Sequence, residues 1–201
     1  MELDELLGLD QLASVGRITR RQLDAVASQL ALSDERTDTR YLLAMLSILG
    51  DAPNFGYSPA VEPFLHSKNT TIAESAMRVL CLSWEITEPY AELILKWMKG
   101  MSSDTMGTSR VTAIQVAGQH LFMHSHPAIL AELIQIFENK NNDNVDRSTA
   151  YEALARAMRG VAASNAVFKA SNYGQLPVDS VADLEIIQAA KERLAREETE
   201  T

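Results

Sequence analysis

The sequence predicts an all-α fold, a short stack of about four helical hairpins with capping helices at both ends. Apolar residues recur at spacings of three and four, the period of a helix with one buried face. No stretch sustains the two-residue alternation of a half-buried strand, and neither Asn-Gly nor Asp-Gly, the favoured hairpin turns, occurs in the 201 residues. The third sign is a repeat. A pattern of residues at three-residue intervals begins at positions 40, 73, 110 and 147, so successive starts lie 33, 37 and 37 residues apart. A period of that length holds one pair of helices, which must stack on a neighbour to bury its apolar face.

The elements follow in order within one predicted domain, 1–201. Residues 1–33 read as N-terminal caps: a short helix over Glu2 to Ala13, then a second opened by Thr19, with Gln22 completing a Thr-x-x-Gln capping box. Leu23, Val26, Ala27 and Leu30 form the apolar stripe of that second helix. The repeats run over 34–160. A third helix is expected from near Ser33 to Gly50, with Asp34, Glu35 and Asp38 in its early turns, where negative charge suits the helix dipole. The Gly50–Gly56 stretch with Pro53 is a loop. Later first helices open at Pro59, Pro89 and Pro127, since the first turn leaves an amide unpaired anyway. Pro63 should break regular bonding between Val61 and Leu65. After Gly160 a linker of small and polar residues is expected as far as Pro177. A final cap helix then spans 178–197, with Ser180 and Asp183 as its capping pair and Val181, Leu184, Ile187 and Leu194 as its stripe.

The second helices carry Asn69, Ile72, Ala76 and Leu80; Asp104, Arg110, Ala113 and Ala117; and Asp143, Arg147, Ala150 and Leu154. The first helices share Ala91-Glu92-Leu93-Ile94 and Ala131-Glu132-Leu133-Ile134. These residues resemble HEAT and armadillo repeats, whose second helix opens with an acidic or amide residue, then Val/Ile-Arg, then small apolar residues every three positions. The resemblance covers residues 34 to 160. It departs from the pattern in the Asp104–Arg110 spacing and at Pro63, which leaves the repeat count at three or four. It implies a short α-solenoid whose second helices line a concave surface.

At about 100° per residue, positions two, five and nine beyond each second-helix start share one face. These are Ser75, Arg78 and Leu82; Thr112, Gln115 and Gln119; Thr149, Glu152 and Arg156. The polar members of this file, with Tyr151 at its border, are the candidate partner-binding groove. The matching positions of the first repeat are Leu42, Met45 and Leu49. That helix is apolar all round, so the N-terminal helices are expected to cover it.

Eighteen basic against twenty-seven acidic side chains give a net charge of -9, which disfavours nucleic acid and anionic membranes and suits a basic protein partner. The single Cys81 sits in an apolar helical run, so no intrachain disulfide is available and a reducing compartment fits. With an acidic N-terminus and no stretch approaching the roughly 18 apolar residues of a membrane span, the expected location is cytoplasmic. His120, His124 and His126 put two imidazoles one turn apart, but no fourth ligand or His-Glu-x-x-His motif accompanies them. They read as a polar helix end, with no metal expected. Glu88 with Glu92, and Asp143 with Asp146, read as helix starts rather than acid–base pairs. Trp84 and Trp97 read as core. With no phosphate loop, nucleophile elbow or dinucleotide fingerprint, no catalytic residue and no cofactor are expected. HEAT-like DNA glycosylases would imply a basic groove, which the file does not supply. The expectation is a non-enzymatic protein-binding module. Small acidic helical-repeat proteins are similar in type to bacterial immunity proteins, which neutralise secreted nuclease toxins with basic active sites. The alternative is a general adaptor or assembly scaffold that holds a peptide or subunit.

Overall fold

The computed structural model describes residues 2–100, 107–170, 177–180 and 182–199, and every regular element among them is helical. They group into two compact units, Met1–Ile86 and Thr87–Thr201. No helix among the described residues is long and apolar enough to cross a membrane.

The first unit contains α1 (Leu3–Ser14), α2 (Arg20–Ala31), α3 (Thr39–Gly50), α4 (Ser58–Val61), a 3-10 turn over Glu62–His66, and α5 (Thr70–Met77), which runs on into a π turn over Arg78–Ser83. The capping box of α2 is formed in both directions: the Gln22 amide donates to Thr19 Oγ1 and the Thr19 amide to Gln22 Oε1. α3 begins later than expected. Asp34 draws the Arg36 amide onto its own carboxylate, and the Thr37 amide bonds to the Asp34 carbonyl, so the chain turns there instead of winding. Asp38 is the cap, accepting from the Arg40 amide at 2.9 Å. Leu42, Met45 and Leu49 are fully buried because α1, α2 and α5 pack around α3, as its all-round apolarity requires. Pro63 turns the backbone into 3-10 geometry, as its missing amide dictates.

The π turn had no sequence marker. In it the Trp84 amide reaches back five residues to the Val79 carbonyl, and the Trp84 indole donates to the Ala52 carbonyl at 2.9 Å. Cys81 is buried among apolar side chains, and burial pushes its thiol up to about 12.

The second unit contains a 3-10 turn at Glu88–Tyr90, α6 (Ala91–Met98), α7 (Thr108–Met123), α8 (Pro127–Glu138), α9 (Asn144–Arg159), α10 (Val161–Ala170), a 3-10 turn at Val178–Ser180, and α11 (Leu184–Thr199). Its central feature is the α7/α9 pair. Arg110, at the start of α7, pairs with Asp146 at the start of α9, and Gly118 meets Ala153 two turns further along, so the helices run parallel. The approach is close. A Cβ on Gly118 would lie 2.7 Å from Ala153 Cα and 2.9 Å from its carbonyl oxygen, so only glycine fits there.

The arginine of the repeat pattern has a structural role. Arg110 Nε donates to the Met98 carbonyl at the end of α6 while its guanidinium holds Asp146. Arg147 repeats the arrangement, with Nε on the Phe137 carbonyl near the end of α8 and two nitrogens on Asp179. Each arginine thus ties its own hairpin to the next one along the chain, through bidentate or charge-assisted bonds that Lys could not reproduce. Arg147 and Lys140 together hold the Asp179 carboxyl well below the usual carboxylate range. At the start of α3, Arg40 is exposed and, among the described residues, its guanidinium bonds Asp38.

Two expectations for the C-terminal region are corrected. The stretch after Gly160 is not a linker but α10, because its four alanines make it a good helix former and smallness alone does not unwind a chain. Gly160 provides the reversal, at φ +84°. The cap of the last helix is Asp183, whose carboxylate accepts from the Glu185 amide, while Ser180 bonds the Pro177 carbonyl instead. Starting there puts Ile186, Ile187 and Ala190 in the core and leaves Leu184 77% exposed. Asp104 and Val181 lie outside the described residues.

Candidate functional site

In two parallel helices, residues clockwise of the contact on one and anticlockwise on the other fall on the same side. About the Gly118–Ala153 contact, that rule brings Thr112, Gln115, Gln119 and Phe122 of α7 together with Thr149, Glu152 and Arg156 of α9. The two halves of the expected file therefore share one side of the pair. Ser75 and Arg78 belong to the first unit, where they line an open cleft of about 220 Å³ with Ser47, Asp51 and Ser83.

Burial divides the file. Thr112 (1% exposed), Gln119 (2%) and Thr149 (7%) are buried, while Gln115, Glu152 and Arg156 are half-buried. Asp146 and Ala153 of α9 meet α7, Arg147 reaches α8, and Tyr151 and Arg159 hold the segment that begins α11. α10 also packs on α9, though no described side chain of α10 is itself buried, and Val161 and Phe168 stay exposed.

Tyr151 is not at the border of the groove. It is 1% exposed on the far side of α9, stacked near Phe137, with its hydroxyl accepting from the Asp183 amide. Burial pushes its phenol up. Two residues outside the expected file belong with it: Gly118, which sets the seam, and Phe122, 52% exposed beside Gly160. The glycine was legible in principle, as a lone Gly inside a helical pattern signals close backbone approach.

Electrostatically the site combines the Glu152 carboxylate, the Gln119 amide and the Arg156 guanidinium. No hydrogen bond or ion pair among the described residues reaches the Glu152 carboxylate, and burial pushes it up to about 7. Gln119 spends its amide nitrogen on a weak contact with Met123 Sδ, and its Oε1 is buried without a donor.

The histidines do structural work. His126 caps α8 by accepting the Ile129 amide at Nδ1, and His120 Nδ1 lies 3.1 Å from Thr87 Oγ1. Burial, with the neighbouring His124 and His126, lowers His120 to about 4. Among the described residues no group of three or more His, Cys, Asp or Glu is arranged to hold a metal ion. Asp143 caps α9 and Asp146 is taken by Arg110, so that pair serves the backbone and a salt bridge. The chain matches no protein-family model, no curated protein and no solved structure.

Proposed function

We propose that the chain is a non-enzymatic protein-binding module built of HEAT-like hairpins, and that the polar side of the α7/α9 pair is its working surface. The observation that carries this reading is the parallel pair. Second helices 36 residues apart are fastened at Arg110–Asp146, and one long side of the seam is left polar. Parallel second helices are the arrangement of an α-solenoid, a fold that offers its stacked faces to other proteins. Fold alone names no partner. The charge of -9 and the unpaired Glu152 favour a basic one.

Within that class we favour an inhibitor of a basic, nuclease-type bacterial toxin, the role of an immunity protein. A general adaptor or scaffold is the second reading, favoured by the open cleft at Ser75 and Arg78, which has room for a peptide side chain. Affinity capture from the native host, purification of the captured protein and calorimetric titration test both. The expected result is a one-to-one complex with a basic protein, weakened steeply by salt. If that protein is a nuclease, its activity should vanish at equivalence. A basic partner without enzymatic activity favours the scaffold, and an acidic partner or salt-insensitive binding refutes the proposal.

A further inference from the structure

Three imidazoles meet at the corner between α7 and α8. The ring centroids of His120 and His124 are 5.0 Å apart, and those of His120 and His126 5.7 Å. His120 is 2% exposed; its Nδ1 lies 3.1 Å from Thr87 Oγ1, and its Nε2 is buried without a partner among the described residues. Burial, with His124 and His126 beside it, lowers His120 to about 4, so this ring stays neutral over the range of about pH 5 to 8 in which histidine ordinarily titrates. His126 is the cap of α8. Its Nδ1 accepts the Ile129 amide at 3.3 Å, so the neutral ring carries its one proton on Nε2, which lies 3.8 Å from Glu92 Oε1 of α6.

That capping bond and a second proton exclude each other. An imidazolium has an N–H at both nitrogens, so protonating His126 sets one donor against another where the Ile129 amide was accepted. The new charge also sits at the amide end of a helix, where the dipole opposes it, and beside the buried His120 ring. α8 brings no acidic group to its own first turn. Glu92 is the carboxylate from α6, and its side chain is 89% exposed, so the ion pair it offers is worth little against the loss of a cap. From α11 comes a cation, Arg193. Its terminal nitrogens donate to the Leu121 carbonyl at 2.9 Å and the His124 carbonyl at 3.0 Å, while its Nε holds Glu197. The carboxyl end of α7 is thus tied to α11 two residues before the His126 cap.

From this arrangement we infer that the α7–α8 corner is a proton-operated latch, in which a proton on His126 releases the first turn of α8 and, through Arg193, the last turns of α11. The chain that lets go of the Ile129 amide also carries the His124 carbonyl away from Arg193, because the two histidines are separated by one residue. α11 is fixed elsewhere by Arg159 on Asp183 and Glu185 and by Lys191 on Glu138, so the freed part is residues 192–199. The cap sets the sign: the closed corner requires the neutral ring, so it is closed at high pH and opens as pH falls. On opening, Leu194 leaves the cleft that it lines with Ala131, Ile134 and Gln135 of α8, and an apolar surface is offered only in acid.

The full-length protein is titrated by NMR from about pH 8 to about pH 5, following the His126 ring, the Ile129 amide and hydrogen exchange along α11. The Ile129 resonance should move with the same midpoint as the His126 ring. Amides 192–199 should exchange about tenfold faster at the acid end, after correction for the intrinsic pH dependence of exchange, with protection in α2 unchanged. His126→Asn supplies a cap that does not titrate, and it should keep α11 protected across the whole range. An Ile129 amide that stays in place while the His126 ring titrates overturns the latch. So does faster α11 exchange that persists in His126→Asn, which assigns the effect to another group, and so does a simultaneous loss of protection in α2, which is unfolding of the whole chain by acid.

Discussion

Gly118→Ala is the sharpest perturbation of the seam, because the two relevant effects have opposite signs. Alanine is favoured over glycine in a helix interior by about 1 kcal/mol, so on propensity alone the substitution should stabilise α7. The added methyl would lie 2.7 Å from Ala153 Cα and 2.9 Å from both its Cβ and its carbonyl oxygen. Non-bonded carbons sit at about 3.5–4.0 Å, so the helices must part by roughly 1 Å along their best-packed line. Two of those three atoms are backbone and cannot rotate away. Overpacking of this kind costs about 1–3 kcal/mol, and rigid backbone puts it at the upper end. The net expectation is a destabilisation of about 2 kcal/mol in the second unit. The assay is urea unfolding followed by tryptophan fluorescence in a Trp84→Phe background, where buried Trp97 reports on the second unit alone. Adding Ala153→Gly removes one of the three close atoms and should recover part of the loss, a coupling of at least about 0.5 kcal/mol. A Gly118→Ala protein as stable as the parent, or more so, would refute the packed seam.

Three further outcomes are expected. Thr19→Ala removes one half of the α2 capping box and should cost about 1 kcal/mol in the first unit, read from the Trp84 transition in a Trp97→Phe background. Arg147→Met strips the Phe137 carbonyl of its donor and should cost about 2 kcal/mol, whereas Arg40→Met, at an exposed pair, should barely move the denaturation midpoint. Glu152 and His120 should drive pH dependence in opposite senses. The folded Glu152 carboxyl is raised from 4.5 to about 7, so its favourable share is complete below 4.5 and is lost as pH rises through 7. The folded His120 is lowered from 6.5 to about 4, so its share is present above 6.5 and is lost as pH falls through 4. Glu152→Gln should therefore gain stability over the parent at pH 8 relative to pH 4, measured by denaturation at both. An equal difference at the two values would show that the carboxylate is not desolvated.

Helix identity was legible because periodicity and caps are local. Thr19, Asn69 and Asp143 each accept a backbone amide at a helix start, and a reader of the sequence needs only the next three residues to anticipate that. The file on α7 and α9 was legible for the same reason, since a helical face is fixed by spacing. What failed depended on contacts distant in sequence. The turning of Tyr151 toward Phe137 and Asp183 is decided by which neighbours pack on α9. The late start of α3 is different. There two local options competed, and the Asp34 turn won over helical winding. Arg110 and Arg147 were visible, but their targets, Asp146 and Asp179, could not be read without the fold.

The central claim is that a basic protein is held on the α7/α9 seam through Glu152. It is tested most directly by the affinity of the purified partner for the parent chain and for Glu152→Lys, measured by calorimetry alongside circular dichroism. The account predicts unchanged helicity and binding weakened by at least about tenfold, or roughly 1.4 kcal/mol. Full affinity in a folded Glu152→Lys protein would contradict it.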